Sequence, residues 1–371
     1  MGDEIKGEFG RQTGFSGDLL RDIGVTLIER SRVAAKASDH HRYHVGSAIL
    51  SVPKRGSGII RENANKIPDS MKAAGYTTQH KFGEGHPTVH GEFPLLYQAP
   101  QSEHLFLGCN TPFCGACMKS SIVRGVDALF VDADSLATEN TWTADFSEYW
   151  NELCLPIAEA AQLPIFSIDT NSGTLNTIIH GKPPNDRPEP DVPARILVGA
   201  ELGEWRHNPG LFLARARDTR AVIGIARNRT TGKEHYIFAE DSYPPGFQNG
   251  QGTWMEEHFK DGHYRFPIDP IIHMCMMAAR NNLELQDGRV LANFVPSSGR
   301  QLDLAHVGIS HLMLTETHEE PTDESLTAMR ELSRLGIIEY TEIKPNKELI
   351  RVLEQPDLGR GLTRRSQYLP D

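Results

Sequence analysis

Two short runs, His90-Gly91-Glu92 and Pro112-Phe113-Cys114-Gly115-Ala116-Cys117, carry one imidazole, two thiols and one carboxylate. Cys114 and Cys117 are separated by one helical turn, so both sulfurs can reach a single ion. With His90 they make three zinc ligands and leave the fourth tetrahedral position of Zn²⁺ open, which is typical of a catalytic rather than a structural zinc. Glu92 is not needed as a ligand and can transfer protons beside the metal.

Both runs are predicted to begin helices. Thr88 is a candidate N-cap for a helix over residues 90–98, which Pro100 ends, and a second helix is expected from Cys114 until Gly125. The dipole and the unpaired N–H groups at a helix N-terminus favour thiolates. The sequence therefore predicts a metal site where two helix N-termini face each other.

Three alternative roles are open to these residues. Cys-x-x-Cys is also typical of thioredoxin-type redox pairs, but such a pair does not call for a His-x-Glu upstream. Half of a structural zinc site is a second alternative, yet no further Cys or His with ligand spacing follows, and Cys109 falls in a predicted strand as a core residue. The third is a chance grouping of core and surface residues. The complete set favours a catalytic zinc.

The surrounding elements predict a three-layer α/β/α unit with a central mixed sheet. An amphipathic helix is expected near residues 17–37 and a further helix near 146–161. Strands are expected at 45–52, 58–61, 105–109, 126–131 and 165–168. Strands joined through a helix pair in parallel with a right-handed crossover. Residues 68–87 are polar, have no clear period and lead directly to His90, so they are predicted to form a substrate-covering loop.

The chain is predicted to contain two domains. Residues 1–15 form a loose arm, and residues 16–179 form the domain with the metal motif. Residues 180–194 hold five prolines among polar residues and are typical of a linker. Residues 195–350 form the second domain, followed by a tail over 351–371.

A faint internal repeat relates the two domains. An offset of 183 positions pairs His90 with His273, Asn110 with Asn293, and Gly125 with Gly308, and it superimposes predicted strands and helices in the same order. The zinc chemistry is not repeated, because Glu92, Cys114 and Cys117 fall on Cys275, Ser297 and Arg300. We therefore expect a tandem duplication whose second copy binds no zinc.

The overall composition indicates which classes of binding partner and which cellular location to expect. The 371 residues carry a formal net charge of −11 at pH 7, which favours a small-molecule partner over nucleic acid. No apolar run approaches the roughly 20 residues that span a bilayer, and no signal-peptide pattern begins the chain. The five cysteines are an odd number and include Cys-x-x-Cys, which favours metal or redox use over disulfides. We expect a cytoplasmic protein with no membrane partner, and we also expect a homodimer, the commonest symmetric assembly.

Residues 16–170 resemble the cytidine deaminase superfamily, which includes cytidine, deoxycytidylate, guanine and tRNA-adenosine deaminases. His-x-Glu followed by Pro, Cys-x-x-Cys is the signature of these zinc enzymes. The runs Val45–Leu50 and His86–Glu92 resemble the first strand and the approach to the catalytic Glu, and the helix and strand after Cys117 resemble the deoxycytidylate and tRNA-adenosine branch. The resemblance implies that Asn65 binds substrate. We also expect Thr88 and Phe113 to contact it.

Two departures from the family pattern concern the substrate rather than the reaction. Phe113 stands between Pro112 and the first Cys, which alters the loop that faces the substrate. Gly91 stands where Ala, Pro or Val is commoner, and it lowers helix stability while allowing close approach. A zinc-free second copy is also known in some bacterial cytidine deaminases, which this chain resembles in that respect.

The resemblance implies a zinc-dependent hydrolytic deaminase. The expected substrate is a free cytosine-, adenine- or guanine-type base, nucleoside or nucleotide, with the cytidine or deoxycytidylate type favoured. Zinc-activated water attacks an amidine-type ring carbon, and Glu92, which we expect to be partly exposed, carries a proton to the departing amine. A deaminase of tRNA or single-stranded nucleic acid and a catalytically idle zinc-stabilised binding protein are the alternatives.

Overall fold

A computed structural model describes most of the chain and divides it into two compact units. The first unit comprises Met1–Lys66, His90–Asp191 and Tyr243–Ile268, and the second comprises Ile67–Val89, Val192–Ser242 and Asp269–Asp371. The described residues within these ranges are 15–40, 42–83, 86–137, 144–198, 219–245, 247, 267–285, 288–315, 320–342 and 364–365. The predicted arm, except for its last residue, and almost all of the predicted tail lie outside them.

The first unit alternates helices and strands around one sheet. Its helices are α1 Gly17–Ala35, α2 Glu92–Gln98, α3 Gly115–Arg124, α4 Ala133–Ala137, α5 Ala144–Tyr149 and α6 Leu155–Ala160, with a π-helical turn over Trp150–Cys154 between the last two. Its strands are β1 Gly46–Val52, β2 Ile59–Ala64, β3 His104–Cys109, β4 Ala128–Asp132, β5 Ile165–Asp169 and β6 Thr174–Ile179. The predicted helices and strands are therefore present, with shifted ends.

The six strands form a mixed sheet in the order β2-β1-β3-β4-β5-β6. Strand β1 pairs antiparallel with both β2 and β3, whereas β3, β4 and β5 are parallel and β6 is antiparallel to β5. Parallel neighbours need a crossover, which α3 and the helical segment up to α6 provide. The carboxyl ends of β3 and β4 thus lie at one edge of the sheet, and the loop that carries Cys114 leaves from the end of β3.

Helix α1 covers one face of this sheet. Ser16 caps its N-terminus by accepting a hydrogen bond from the Leu19 N–H at 3.1 Å, and apolar residues recur along it at helical spacing. They bury an apolar cluster against alternate strand residues: Leu20, Leu27, Ile28, Ala48, Phe106, Ala128, Phe130, Phe166, Ile168 and Leu175. This cluster is the core on the side of the sheet away from the metal motif.

Strand β3 shows how the two faces are divided. Phe106 lies in the cluster under α1, and a Cβ at Gly108 would lie 2.6 Å from the Cβ of Leu27 in α1. Successive side chains of a strand point to opposite faces, so Cys109 points away from α1, where its sulfur contacts Glu92 of α2. Helices therefore cover both faces, and the predicted three-layer α/β/α arrangement is confirmed for the first unit.

The proline-rich segment after β6 is held by a half-buried arginine. Arg187 donates hydrogen bonds of 2.6 Å each to the carbonyl oxygens of Lys182, Val126 and Asp127. Burial lowers the pKa of its guanidinium to about 9, although the nearby Asp127 carboxylate opposes that change. This part of the predicted linker is thus fixed to the first unit rather than free.

The second unit also contains one mixed sheet. Its strands are β7 Arg195–Ile196, β8 Ala221–Asn228, β9 Glu234–Glu240, β10 Leu283–Glu284, β11 Arg289–Ala292, β12 His311–Leu314, β13 Glu339–Glu342 and β14 Arg364–Arg365. Its helices are α7 Pro270–Arg280, α8 Ser298–His306 and α9 Asp323–Arg334, in addition to a short helix over Asp69–Ala73. The sheet order is β14-β13-β12-β11-β8-β9-β7, with β10 paired to β8.

The strand path β9-β8-β11-β12-β13-β14 repeats the path β2-β1-β3-β4-β5-β6, with the same parallel and antiparallel pairings. The registers agree as well: Phe106 pairs with Ala128 in the first sheet, and Arg289 pairs with His311 in the second, each 183 positions later. The predicted mixed α/β fold and its duplication are therefore confirmed at the level of topology. A counterpart of α1 would precede β8, where residues 199–218 lie outside the described part.

Side-chain contacts repeat together with the strands. The Oδ1 of Asn110 accepts a hydrogen bond from the Gly46 N–H at 2.8 Å, and the Oδ1 of Asn293 accepts one from the Ala221 N–H at 2.7 Å. Both asparagines also donate from Nδ2 to the carbonyl of the residue two positions before that N–H. The same side chain thus joins the same two strands in each unit, which chance similarity would not produce.

Among the described residues, no helix combines the length and the apolar composition that crossing a bilayer requires.

Candidate functional site

The start of α2 is fixed by contacts with the end of β2. Gly91 is its N-cap residue, and the Gly91 N–H donates a 3.0 Å hydrogen bond to the Oδ1 of Asn65. A Cβ at position 91 would lie 3.0 Å from the carbonyl carbon of Ala64 and 3.1 Å from the carbonyl oxygen of Asn63. These contacts would be tighter than ordinary ones, so glycine allows the backbone to approach the strand this closely without displacing it. The helix begins at Glu92, so the predicted N-cap role of Thr88 is wrong: Asn65 satisfies an N–H there instead.

Gly91→Ala is expected to move the start of α2 away from β2. Its backbone angles, φ −58° and ψ −28°, suit any residue, so the change acts through the Cβ contact alone. Backbone atoms cannot yield as a flexible side chain does, and we expect a loss of about 1–3 kcal/mol of stability. Gly299→Ala in α8 is the control, because its Cβ meets nothing within 4 Å and should be neutral or stabilising. Denaturant unfolding of both variants tests this, and equal stabilities would contradict it.

Cys114 and Cys117 lie at the start of α3. Cys114 is the N-cap residue with an extended backbone, and Cys117 lies one turn further on. The N–H of Gly115 donates a 2.5 Å hydrogen bond to the hydroxyl of Tyr149, and a Cβ at position 115 would collide with that hydroxyl. Tyr149 directly precedes the π-helical turn, a feature often found at functional sites. The predicted helix start is confirmed, and Tyr149 fixes its first N–H.

Arg124 connects the two site helices. It lies at the C-terminus of α3 and is buried. Its Nε donates to the carbonyl of Leu96 at 3.0 Å, and its Nη2 donates to the carbonyls of Ala99 and Pro100 at 3.1 and 3.2 Å. These carbonyls lie at the C-terminal end of α2, where a cation is favourable. The end of one site helix therefore holds the end of the other.

The three predicted ligand atoms form a small triangle. The Nδ1 of His90 lies 3.3 Å from the Sγ of Cys114 and 3.6 Å from the Sγ of Cys117, and the two sulfurs are 3.4 Å apart. Tetrahedral Zn²⁺ with ordinary bond lengths places such atoms about 3.6–3.8 Å apart. These residues are the group in the described part of the chain that could hold a metal ion. One imidazole and two thiols at these distances fit zinc.

The two thiols share their protons unequally. The two sulfurs lie within hydrogen-bond distance of each other, and this contact together with the nearby His90 lowers the pKa of Cys114 well below the ordinary thiol range. The resulting thiolate raises the pKa of Cys117 well above that range. Cys114 therefore ionises first, and a cation beside both sulfurs favours loss of the second proton.

Glu92 lies beside this triangle but is not part of it. Its side chain is buried rather than partly exposed as expected from the sequence, with only 3% of its surface accessible. Oε1 accepts a weak hydrogen bond from the Cys109 thiol at 3.4 Å, and Oε2 is buried without a hydrogen-bond partner among the described residues. Burial raises the pKa of Glu92, although the nearby His90 opposes the shift. A buried carboxyl with an unpaired oxygen is suited to hold and transfer a proton.

Cys109, a predicted core residue, has a second role through its contacts. Its sulfur lies 3.3 Å from the Thr111 hydroxyl and 3.6 Å from the Ser47 hydroxyl, in addition to its contact with Glu92. Burial raises its pKa well above the ordinary range, so it remains a thiol and donates to the carboxylate. Its place at the carboxyl end of a parallel strand is the signal that could have indicated a site position. Tyr149 and Arg124 carry no comparable sequence signal.

The predicted substrate-binding residues have different surroundings. Asn65 is buried beside the start of α2, where its Oδ1 is already used by Gly91, so its amide nitrogen remains to donate. Phe113 is fully buried. Thr88 is half-buried and lies in the segment that belongs to the second unit. Substrate contact by each of the three remains a prediction.

Asn65→Ala is expected to lower stability as well as substrate affinity. It leaves the buried Gly91 N–H without its acceptor, which costs about 1–3 kcal/mol. The matched control is Asn293→Ala, which removes a similarly buried side-chain acceptor from the second unit. We expect both variants to unfold at lower denaturant concentration, but only Asn65→Ala to raise KM. An unchanged KM would remove Asn65 from the substrate site.

The corresponding positions of the second unit do not form a metal site. The Nε2 of His273 accepts a 2.9 Å hydrogen bond from the Ala194 N–H, so this histidine is a buried structural residue. Ser297 is the N-cap of α8, as Cys114 is of α3, but Arg300 pairs with Asp303. A hydroxyl and a guanidinium cannot replace two thiolates, and the described part of this unit contains no group able to hold a metal.

Comparisons with known proteins yield weak structural matches. No protein-family model and no curated protein matches the chain. A crystal structure of dCMP deaminase from the cyanophage S-TIM5 in its apo form is 18% identical with a TM-score of 0.24, covering 31% of this chain and 88% of that one. The same enzyme in complex with dCMP and dUMP is 13% identical with a TM-score of 0.27, covering 40% and 100%. Matches at this level assign neither family nor activity.

Proposed function

We propose that this protein is a zinc-dependent hydrolytic deaminase of a free base, nucleoside or nucleotide, with a cytidine- or deoxycytidylate-type substrate favoured. The observation that carries the proposal is the pairing of a three-atom ligand triangle with a separate buried carboxyl. His90, Cys114 and Cys117 account for three zinc positions, and Glu92 lies next to them with one oxygen unpaired. A closed structural zinc site has no use for such a carboxyl.

Each residue has a distinct part in the proposed reaction. His90, Cys114 and Cys117 would hold zinc, which when bound lowers the pKa of water and supplies a nucleophile at neutral pH. Glu92 would accept a proton from the attacking water and donate it to the ring nitrogen of the amidine group. It would then accept the proton of the hydroxyl that has been added to the ring carbon and pass it to the departing amine, so that ammonia leaves and the carbonyl forms. The raised pKa of Glu92 favours the protonated form that the donation steps need. The Cys109 thiol, by donating to Oε1, keeps Oε2 as the oxygen that exchanges the proton.

The domain assignment follows from the same proposal. Residues 16–179 form the deaminase domain, residues 180–194 connect it to the second copy, and residues 195–350 form a deaminase-like domain without zinc. The repeated strand order and the repeated asparagine contacts support a common origin. The loss of both thiols from the second copy supports a structural role for it.

Ammonia release from cytosine, adenine and guanine bases, nucleosides and nucleotides tests the proposal. We expect zinc-dependent release from at least one small substrate. Zinc retained without release from any compound would favour the idle binding protein. Release only from tRNA or single-stranded DNA, together with a gel shift at low salt, would favour the nucleic-acid deaminase. Either result would overturn the proposal.

A further inference from the structure

Residues 67–83, which we call the docking segment, leave the first unit after β2 and pack within the second unit. Three apolar side chains anchor this segment: Ile67, Met71 and Phe82 are each no more than 3% exposed. A polar surface loop would not bury such residues. Only six residues separate its last residue, Gly83, from the predicted zinc ligand His90. The chain that leads to His90 therefore comes from a segment that belongs to the second unit.

A tyrosine fastens the middle of the docking segment to α9. The hydroxyl of Tyr76 donates a hydrogen bond to Glu331, and Arg334 pairs with the same carboxylate at 2.5 Å. The bidentate arginine fixes the orientation of Glu331, since its Nε also donates to the other oxygen at 3.2 Å. The carboxylate that accepts from Tyr76 is thus oriented by an arginine of the same helix.

Gly83 packs against the start of helix α8 within the second unit. Its φ is +62°, and a Cβ there would lie 2.9 Å from both the Cβ and the Oγ of Ser298. Ser298 is the first residue of α8 and follows Ser297, the residue that corresponds to the zinc ligand Cys114. The docking segment therefore packs against the helix start that corresponds to the metal-binding helix start of the first unit.

We propose that the second copy has exchanged metal binding for docking, and that Tyr76 and Gly83 are positioning residues that hold the approach to His90 and Thr88. Only the expected effect on KM rests on the proposed function. The start of α8 carries the small residues Ser297, Ser298 and Gly299, and the backbone of Gly83 packs closely against Ser298. Holding the docking segment removes conformational freedom from the residues that follow it. Substrate then binds without ordering that stretch, which favours a low KM.

Gly83→Ala tests the proposal, with Gly75→Ala as the matched control. Both glycines lie in the docking segment and have positive φ, +62° and +90°, so both substitutions carry the backbone cost. A Cβ at Gly75 meets nothing within 4 Å, whereas one at Gly83 meets Ser298. We expect Gly83→Ala to increase amide exchange across residues 67–83 and through the peptide containing His90 roughly tenfold more than the control. KM should rise roughly tenfold, with kcat and zinc content unchanged.

Two further variants separate docking from general damage. Ser298→Gly added to Gly83→Ala removes the atoms in the clash, so exchange and KM should return to the values of Gly75→Ala. Tyr76→Phe should act like Gly83→Ala, while Tyr340→Phe serves as its control, because it removes a 2.7 Å hydrogen bond to Gln301 within the second unit but does not touch the segment.

The outcomes decide the proposal in each case. Equal exchange in Gly83→Ala and Gly75→Ala, or no recovery with Ser298→Gly, would overturn it. Increased exchange confined to residues 67–83, with the His90 peptide and KM unchanged, would show docking without positioning and would also overturn it. If the wild-type protein releases no ammonia from any compound, the proposed function fails, while exchange in the His90 peptide still decides whether the segment positions this site.

Discussion

Glu92→Gln is expected to lower kcat toward the upper end of the 10²- to 10⁴-fold range that is typical for loss of a general acid–base group. The amide keeps the size of the side chain but cannot accept and return a proton. One group that serves several proton transfers should show an effect at or beyond that upper end. Steady-state ammonia release on the best substrate of the panel measures it.

The same substitution should leave zinc content and folding nearly unchanged. Glu92 is not in the ligand triangle, and a neutral amide avoids the cost of a buried charge that raises the pKa of the acid. Glu152→Gln is the control, since its Oε2 is also buried without a hydrogen-bond partner among the described residues, and it should keep normal turnover. Near-normal turnover in Glu92→Gln would exclude the proton role. Loss of zinc would mean that Glu92 is a fourth ligand and that the site is closed.

The metal motif could be predicted because its geometry is local. Helical spacing alone places the sulfurs of Cys114 and Cys117 close enough together to hold one ion, and the predicted α3 begins within one residue of the observed helix. The duplication could also be predicted, because an ungapped offset of 183 positions keeps the order of elements and carries the register of β3 with β4 onto β11 with β12. These features need no knowledge of which distant residues touch.

The remaining features depend on long-range contacts. Thr88 has the composition of an N-cap, but Asn65, distant in sequence, supplies the acceptor at the start of α2. Position 91 favours glycine because the backbone of Ala64 lies close to it, and no local sequence pattern reveals that contact. The burial of Glu92 follows from the packing of α2 on β1 and β2, with Cys109 of β3 in contact with its carboxyl group. Sequence patterns report periodicity and caps, but not which strand end faces which helix.

The segment before His90 shows this limit most clearly. Its polar composition predicts a loop over the substrate, yet Met71 and Phe82 are buried and Tyr76 bonds to Glu331, far along the chain. Three scattered apolar residues have no period, because an irregular segment docks through individual side chains rather than through one face. The packing of this segment could not be predicted from the sequence, because it depends on how the second unit folds.

The double substitution Cys114→Ala with Cys117→Ala is expected to abolish metal binding and activity together. The wild-type protein should contain about one zinc per chain, held by the first unit, and the variant should contain none, because His90 alone is a weak site. Elemental analysis after gel filtration measures the stoichiometry. Cys275→Ala is the control, since it removes a buried thiol from the second unit at the position that corresponds to Glu92, and should keep one zinc.

Thermal unfolding gives the same prediction a second measurement. A ligand that binds only the folded state stabilises it by about 4 kcal/mol at a free concentration of 1,000 Kd. Added zinc should therefore raise the Tm of the metal-stripped wild-type protein and of Cys275→Ala, but not that of the double variant. Zinc retained by the double variant, or two zincs per wild-type chain, would contradict the assignment. In the second case the thiol-free second copy would have to bind metal through a ligand set that neither the repeat nor the described residues contain, and its role in docking would lose its rationale.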